Sequence, residues 1–179
     1  MNRPLLGAST VAALLVFAGA AYAVVHPISP SNYNKGCHPN GRALQGDAAA
    51  DTMVGTSRRD LLRGGGGADV ISGLRARDCL FGGPAADAIN GGGGADKIKG
   101  GPAADALIGS RGKDRINGNG GPDAIHGASG GDVLRGGKGD DAITDDSGRN
   151  RISCGKGIDT VVTNHRSKVS PRCEHVTRS

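Results

Sequence analysis

The sequence predicts an all-β solenoid, and three observations lead to that fold class. The 179 residues include 33 glycines but only two phenylalanines, two tyrosines and no tryptophan, too few large side chains for a conventional globular core. A nine-residue period runs without insertion or deletion from residue 46 to residue 162, and every period contains one aliphatic residue in the same place. A stack of short coils with one aliphatic residue per layer still buries continuous apolar surface.

The N-terminal residues 1–23 have the pattern of a secretory signal peptide. Arg3 is the only charged side chain there, an apolar stretch ends at Ala21, and Ala21-Tyr22-Ala23 supplies the small residues of a cleavage site. An uncleaved anchor over residues 5–25 is the alternative, because that length just crosses a bilayer. We expect cleavage after Ala23, secretion to the extracellular space, and no membrane span in the mature form.

The segment 46–162 consists of thirteen consecutive nonapeptides, as in Gly64-Gly65-Gly66-Gly67-Ala68-Asp69-Val70-Ile71-Ser72. The first position is Gly in all but two units, and the eighth is aliphatic in every unit. The sixth position is acidic in all but one unit, and its occupants are Asp51, Asp60, Asp69, Asp78, Asp87, Asp96, Asp105, Asp114, Asp123, Asp132, Asp141, Asn150 and Asp159.

Each unit divides into a turn and a strand. Glycine takes the positive φ values that a tight turn needs, so the first six residues predict a loop. The last three residues predict a short strand whose side chains alternate in direction. The eighth residue then points into the core, while the seventh and ninth face solvent.

This pattern resembles the repeats-in-toxin (RTX), or hemolysin-type, calcium-binding nonapeptide, Gly-Gly-x-Gly-x-Asp-x-aliphatic-x. The resemblance covers 117 residues. It implies a right-handed parallel β-roll with two repeats per turn, in which several Ca²⁺ ions lie between stacked loops, held by sixth-position carboxylates and backbone carbonyls. Calcium takes about six to eight oxygen ligands, which such loops supply. For an individual repeat, an aspartate that only ends the turn remains the alternative.

Two repeats per turn place alternate repeats at the same edge of the roll. We expect one edge to bind calcium best, and the other to bind less because it carries Arg58, Arg59, Arg75, Arg77, Arg111, Lys113 and Arg149. At the better edge, Ala85 and Ala103 replace the fourth-position Gly, a steric cost if that position needs positive φ. The predicted metal ligands are Asp69, Asp87, Asp105, Asp123 and Asp141, followed by Asp96, Asp114 and Asp132 on the basic edge.

The segments outside the repeats predict an irregular lead-in over residues 24–45 and a small C-terminal cap over residues 163–179, which covers the open end of the solenoid. Four cysteines in an exported chain favour disulfides. We predict that Cys154–Cys173 fastens the cap to the last coil. Cys37 then pairs with Cys79, whose seventh position faces outward.

The predicted function is that of a secreted calcium-binding protein in which calcium drives folding of a rigid rod. The alternative is a structural or adhesive module that binds anionic cell-surface or matrix polymers. We predict no enzyme and no specific nucleic-acid partner. The match of residues 127–131 to the Gly-x-Ser-x-Gly hydrolase elbow lies in perfect phase inside a repeat, where the strand-turn-helix context of that motif is not expected.

Overall fold

Two sheets wound from alternate repeats make up the computed structural model, which describes residues 26–29, 36–145 and 147–179. The strands of both sheets run parallel, except that the first strand of sheet A pairs antiparallel with its neighbour. Every regular element in these ranges is a strand, and we number the seventeen strands β1 to β17 along the chain. Sheet A consists of β1 (His26–Pro27), β2 (Ala43–Gln45), β4 (Leu61–Arg63), β6 (Cys79–Phe81), β8 (Lys97–Gly101), β10 (Arg115–Gly120), β12 (Val133–Lys138), β14 (Arg151–Lys156) and β16 (Lys168–Val169).

Sheet B takes the remaining strands. These are β3 (Thr52–Val54), β5 (Val70–Ser72), β7 (Ala88–Gly93), β9 (Ala106–Gly112), β11 (Ala124–Gly130), β13 (Ala142–Asp145), β15 (Thr160–Thr163) and β17 (His175–Arg178). The predicted all-β solenoid is confirmed. In the described ranges the structure contains no helix long and apolar enough to cross a membrane. The predicted signal peptide, residues 1–23, lies outside the described residues.

The register follows the nine-residue period. Leu62 of β4 lies opposite Leu80 of β6, and Ile71 of β5 lies opposite Ile89 of β7, eighteen residues apart in each case. One coil therefore contains two repeats. The eighth-position residues of both sheets form one continuous core cluster from Met53 to Val161, each at most 3 % exposed.

The solenoid extends beyond the repeats at both ends. Strand β2 lies within the predicted irregular lead-in, and its Leu44 pairs with Leu62 in the ordinary parallel register. In the cap, Val169 of β16 pairs with Ile152, and Val176 of β17 pairs with Val161. The parallel strands make about eight turns, whereas the repeats alone predict six and a half, because the flanking segments add strands to both sheets.

Both predicted disulfides are present. Cys154 and Cys173 join the cap to β14, with their Cα atoms 5.3 Å apart. Cys37 and Cys79 join the lead-in to β6, with their Cα atoms 5.9 Å apart. Around the second bridge, Ile28 and Leu61 form a small buried cluster on the outer face of sheet A. The lead-in therefore covers the first strands of sheet A from outside.

Candidate metal sites in two columns of aspartate

The sixth-position side chains form two columns, one at each edge of the roll. Each sixth residue immediately precedes a strand, so odd-numbered units place theirs before sheet B and even-numbered units before sheet A. We call these the B column and the A column. The B column consists of Asp51, Asp69, Asp87, Asp105, Asp123, Asp141 and Asp159, and the A column of Asp60, Asp78, Asp96, Asp114, Asp132 and Asn150. All are buried, with at most 3 % exposure.

One oxygen of each carboxylate connects successive coils. The backbone N–H of Asp87 donates to Oδ1 of Asp105 at 2.8 Å, and that of Asp60 donates to Oδ1 of Asp78 at 2.8 Å. The same bond recurs along both columns, always between residues eighteen apart. The aspartate therefore continues the sheet ladder through the turn, where strand pairing alone would end.

The second oxygen is left without a protein hydrogen bond. The Oδ2 atom is buried and unpartnered in Asp69, Asp78, Asp87, Asp96, Asp105, Asp114, Asp123, Asp132, Asp141 and Asp159. This set contains all eight predicted metal ligands. A buried acceptor without a partner costs about 1–3 kcal/mol, and more when it is charged. Ten such atoms in two rows require a cation, a proton or water as partner.

Burial changes the acidity of these groups. Loss of hydration raises the pKa of Asp78, Asp114 and Asp123 to about 7, and that of Asp96 and Asp141 to about 6. Repulsion from the neighbouring carboxylates of the same column adds to the increase at Asp78, Asp114 and Asp123, and the ladder hydrogen bonds oppose it. Without a bound metal ion, Asp78, Asp114 and Asp123 therefore bind protons near neutral pH.

The first-position glycine makes room for the carboxylate. A Cβ built on Gly118 would lie within 3.0 Å of Oδ2 of Asp123, and one on Gly109 would lie 2.5 Å from Oδ2 of Asp114. The carbonyl oxygen of the first residue in the next coil lies on the same side. The oxygen of Gly136 is 2.7 Å from the Cβ built on Gly118, and the oxygen of Gly127 is 2.9 Å from the Cβ built on Gly109. A carboxylate and a carbonyl oxygen thus converge beside these two glycines, a cradle that a side chain would fill.

This donor set fits calcium. Calcium is a hard cation that takes carboxylate and carbonyl oxygens. Among the described residues no three side chains of His, Cys, Asp or Glu cluster around one point, so any ion must draw the rest of its ligands from the main chain or from water. The residues that would hold it are the sixth-position aspartates and the main-chain carbonyls of the adjoining loops.

The backbone angles of the repeat loops correct the expectation that the glycines are there for positive φ. Positive φ is confined to the second and fourth positions, as at Gly137 and Gly139. Leu74 and Ala76 adopt it without being glycine, at φ 74° and 78°. Ala85 and Ala103 do not adopt positive φ, so the steric cost expected for them does not arise. The nearly invariant first-position glycine serves packing against Asp rather than φ.

The two columns have the same carboxylate geometry. The basic residues predicted to weaken the A column, among them Arg75, Arg77, Arg111 and Lys113, are exposed. None of them is among the groups that shift the pKa of Asp78 or Asp114. The difference in calcium binding between the edges stays a prediction about charge and has no counterpart in carboxylate geometry.

Sequence reasoning missed one acidic residue that extends a column. In the cap, Glu174 accepts the backbone N–H of Asp159 through Oε2 at 2.9 Å, as the next aspartate would. It lies fifteen residues after Asp159 rather than eighteen, so the nine-residue phase hides it. The short signature of an acidic residue two places before an aliphatic one, Glu174 and Val176, would have found it.

Fold and site together define a parallel β-solenoid with oxygen-lined acidic loops stacked at both edges. The family model of the RTX calcium-binding nonapeptide repeat matches residues 45–80, 73–106, 81–116, 99–134 and 126–161, which is well over half of the chain. The chain belongs to this family of RTX calcium-binding nonapeptide repeats. No curated protein matches it.

Proposed function

We propose that this protein is a secreted calcium-binding β-roll whose folding and rigidity depend on calcium bound between stacked loops. The observation that carries the proposal is the double row of buried Oδ2 atoms without a protein partner. Bound calcium would supply the positive charge that those oxygen atoms lack, and they would coordinate it. The chain itself holds each carboxylate in place through its Oδ1 hydrogen bond and keeps bulk water out by stacking the loops.

The composition makes dependence on an ion physically reasonable. A core with one aliphatic side chain per repeat gains limited hydrophobic stabilisation, and ordering 33 glycines costs much conformational entropy. An ion that binds only the folded state shifts the equilibrium towards it by mass action.

Circular dichroism and calorimetry of the disulfide-intact protein test this dependence. We expect a largely disordered spectrum in chelator, and β-structure that appears between micromolar and millimolar calcium, the range of many sensor and extracellular sites. Magnesium at equal concentration is the control, since it prefers a smaller octahedral site. A chelated sample that keeps its full β signal and melting temperature would contradict the proposal.

Secretion is part of the proposal and is supported by the signal-like residues 1–23 and by two disulfides, which persist in oxidising compartments. We expect protein exported by a bacterial host to begin at Val24. N-terminal sequencing checks this, and an intact Met1 in the membrane fraction would favour the anchor instead.

No catalytic step belongs to the proposal. Ser129 of the hydrolase-like pentapeptide lies inside strand β11, and its Oγ contacts the carbonyl oxygen of Ser110 at 3.3 Å. A nucleophile elbow instead places its serine on a sharp turn between a strand and a helix.

A second candidate function, binding of an anionic polymer, is favoured by the charge of sheet A. Its outward-facing positions carry no acidic residue and seven basic ones, Arg63, Lys97, Lys99, Arg115, Arg135, Arg151 and Lys168. The matching positions of sheet B carry no Lys, Arg, Asp or Glu. Lys97 lies opposite Arg115 on adjacent strands, and Arg151 lies opposite Lys168, so the cations of each pair are about 4.8 Å apart. Val133 lies in the same row between the two pairs.

A flat row of cations suits an extended polysaccharide with regularly spaced sulfate or carboxylate groups. Retention on dextran sulfate against uncharged dextran tests this. We expect the triple variant Lys97→Gln, Lys99→Gln, Arg115→Gln to lose most binding at low salt. The matched control, Arg58→Gln, Arg59→Gln, Arg75→Gln, removes the same charge from the loops and should keep it. Equal losses would mean nonspecific attraction, and preference for DNA would redirect the proposal to nucleic acid.

A further inference from the structure

We propose that Asp132 and Asp145 together form a two-carboxylate cation site at the C-terminal end of the A column, with a higher affinity for calcium than the ordinary repeat sites. The inference rests on the proposed calcium-binding function. It concerns a ligand, Asp145, that occupies a first position where the repeat has glycine.

The unit 145–153 departs from the repeat at its first and sixth positions. Its first residue is Asp145 instead of Gly, and its sixth is Asn150 instead of Asp. The unit has therefore lost the sixth-position carboxylate and carries carboxylates at its first and second positions, Asp145 and Asp146.

Asn150 makes the ladder hydrogen bond of the sixth-position aspartate but lacks its negative charge. Its Oδ1 accepts the backbone N–H of Asp132 at 2.9 Å, as an aspartate would. Its Nδ2, in the place of the second carboxylate oxygen, donates to the carbonyl of Ser147 at 2.9 Å and to Oγ of Ser167 at 3.1 Å. Asn150 therefore continues the ladder, closes it against the cap and offers no anionic oxygen to an ion.

Asp145 brings its carboxylate to Asp132 instead. Its side chain is fully buried. A Cβ built on Gly127 would lie within 3.0 Å of Oδ2 of Asp145 and 3.0 Å from Oδ2 of Asp132. At Gly109, one coil earlier, the two oxygens nearest the same point are Oδ2 of Asp114 and the carbonyl oxygen of Gly127. At Gly127 a carboxylate oxygen of Asp145 is thus nearer to this point than any carbonyl oxygen.

Two ionised carboxylates that face the same point repel each other, and a cation between them removes this repulsion. The Oδ2 atoms of Asp132 and Asp145 both lie no more than 3.0 Å from the same point beside Gly127, and ionised carboxylates accept hydrogen bonds but cannot donate one to each other. Asp132 is 1 % exposed, and its buried Oδ2 atom has no protein hydrogen-bond donor. Since calcium affinity rises with the number of charged ligands, the extra carboxylate strengthens this site relative to a carboxylate–carbonyl cradle.

Calcium titration by calorimetry on the full mature chain at pH 8 tests the inference. We expect the wild-type isotherm to contain one site at least about tenfold tighter than the others. The isosteric variant Asp145→Asn should lose that tight phase and keep the weaker ones. Asp47→Asn, which removes an exposed carboxylate, is the control for net charge and should leave the tight phase intact.

A restoring variant guards against simple misfolding. The double change Asp145→Gly and Asn150→Asp rebuilds the ordinary unit, and should fold with the same number of ions but without the tight phase. An Asp145→Asn isotherm identical to wild type would overturn the inference. If the wild-type protein takes up no calcium, the proposed function itself fails. Neither Asp145→Asn nor Asp105→Ala would then alter binding.

Discussion

At the scale of single residues, the repeat is organised around the contact between its first and sixth positions. The carboxylate of the sixth residue folds back against the Cα atom of the first, and its Oδ1 ties one coil to the next. A side chain at the first position would displace the carboxylate, so glycine there is a requirement of the metal site as well as of the fold.

We expect Gly118→Ala to lower both stability and calcium stoichiometry. The new methyl group would overlap Oδ2 of Asp123, and overpacking of this kind costs about 1–3 kcal/mol. Gly120→Ala in the same unit is the control, because its Cβ would meet nothing nearer than Pro102 at 3.7 Å and its φ is not positive. Thermal melts and calcium titrations of the two variants should differ, and indistinguishable variants would remove the packing argument.

At the scale of elements, the roll consists of two chemically different sides. The sheet A side carries basic strands and basic loops, whereas the seventh and ninth positions of sheet B carry no Lys, Arg, Asp or Glu. Calcium at the A column would therefore experience more positive potential than calcium at the B column, although screening by solvent weakens the effect of exposed charges.

Asp105→Ala in the B column should reduce calcium stoichiometry and stability more than Asp78→Ala in the A column. Arg75 and Arg77 flank Asp78 in its own loop and oppose an ion there. Calorimetric titrations at low salt are the measurement, since screening is then least. Equal losses from both substitutions would show that the common carboxylate geometry outweighs the difference in charge.

The two bridges fasten different ends of the solenoid. Replacing Cys154 and Cys173 by serine should destabilise the protein by ~3 kcal/mol, because this bridge closes a loop of about twenty residues. Hydrogen exchange should increase in β15 and β17, where Glu174 and Val176 hold the cap. Replacing Cys37 and Cys79 is the comparison, and its effect should be confined to β1, β2 and β4. Exchange that changes uniformly in both variants would show one cooperative unit.

At the scale of the whole molecule, the columns link stability to pH and to calcium. Burial raises the folded-state pKa of Asp78, Asp114 and Asp123 from 3.8 to about 7, so between those values the folded chain binds more protons than the unfolded chain. The stability contributed by these protonated groups is complete below about pH 4 and is lost as pH rises through about 7.

In chelator, the fraction of folded protein, measured as the β signal in circular dichroism, should therefore fall from pH 5 to pH 8, where the chain becomes largely disordered. Calcium should reverse this trend, because it binds the ionised carboxylates and competes with protons. Asp123→Asn, which fixes that side chain in a neutral form, should flatten the pH dependence of the chelated protein. A metal-free roll that becomes more stable towards pH 8 would be inconsistent with protonated columns.

The sequence by itself determined the solenoid, its period, the inward eighth position and the family, because each depends on a local pattern repeated in phase. Both disulfides were predicted from the positions of Cys79 and Cys154 in their repeats and of Cys37 and Cys173 in the flanking segments. Leu62, Ile71 and Asp105 could be placed by counting alone. Tertiary structure was needed wherever the phase is broken or a contact joins distant units. Strands β2, β16 and β17, the ladder position of Glu174 and the facing carboxylates of Asp132 and Asp145 emerge only when coils stack. The physical reason is that stacking brings residues eighteen apart, or off phase, to within hydrogen-bonding distance.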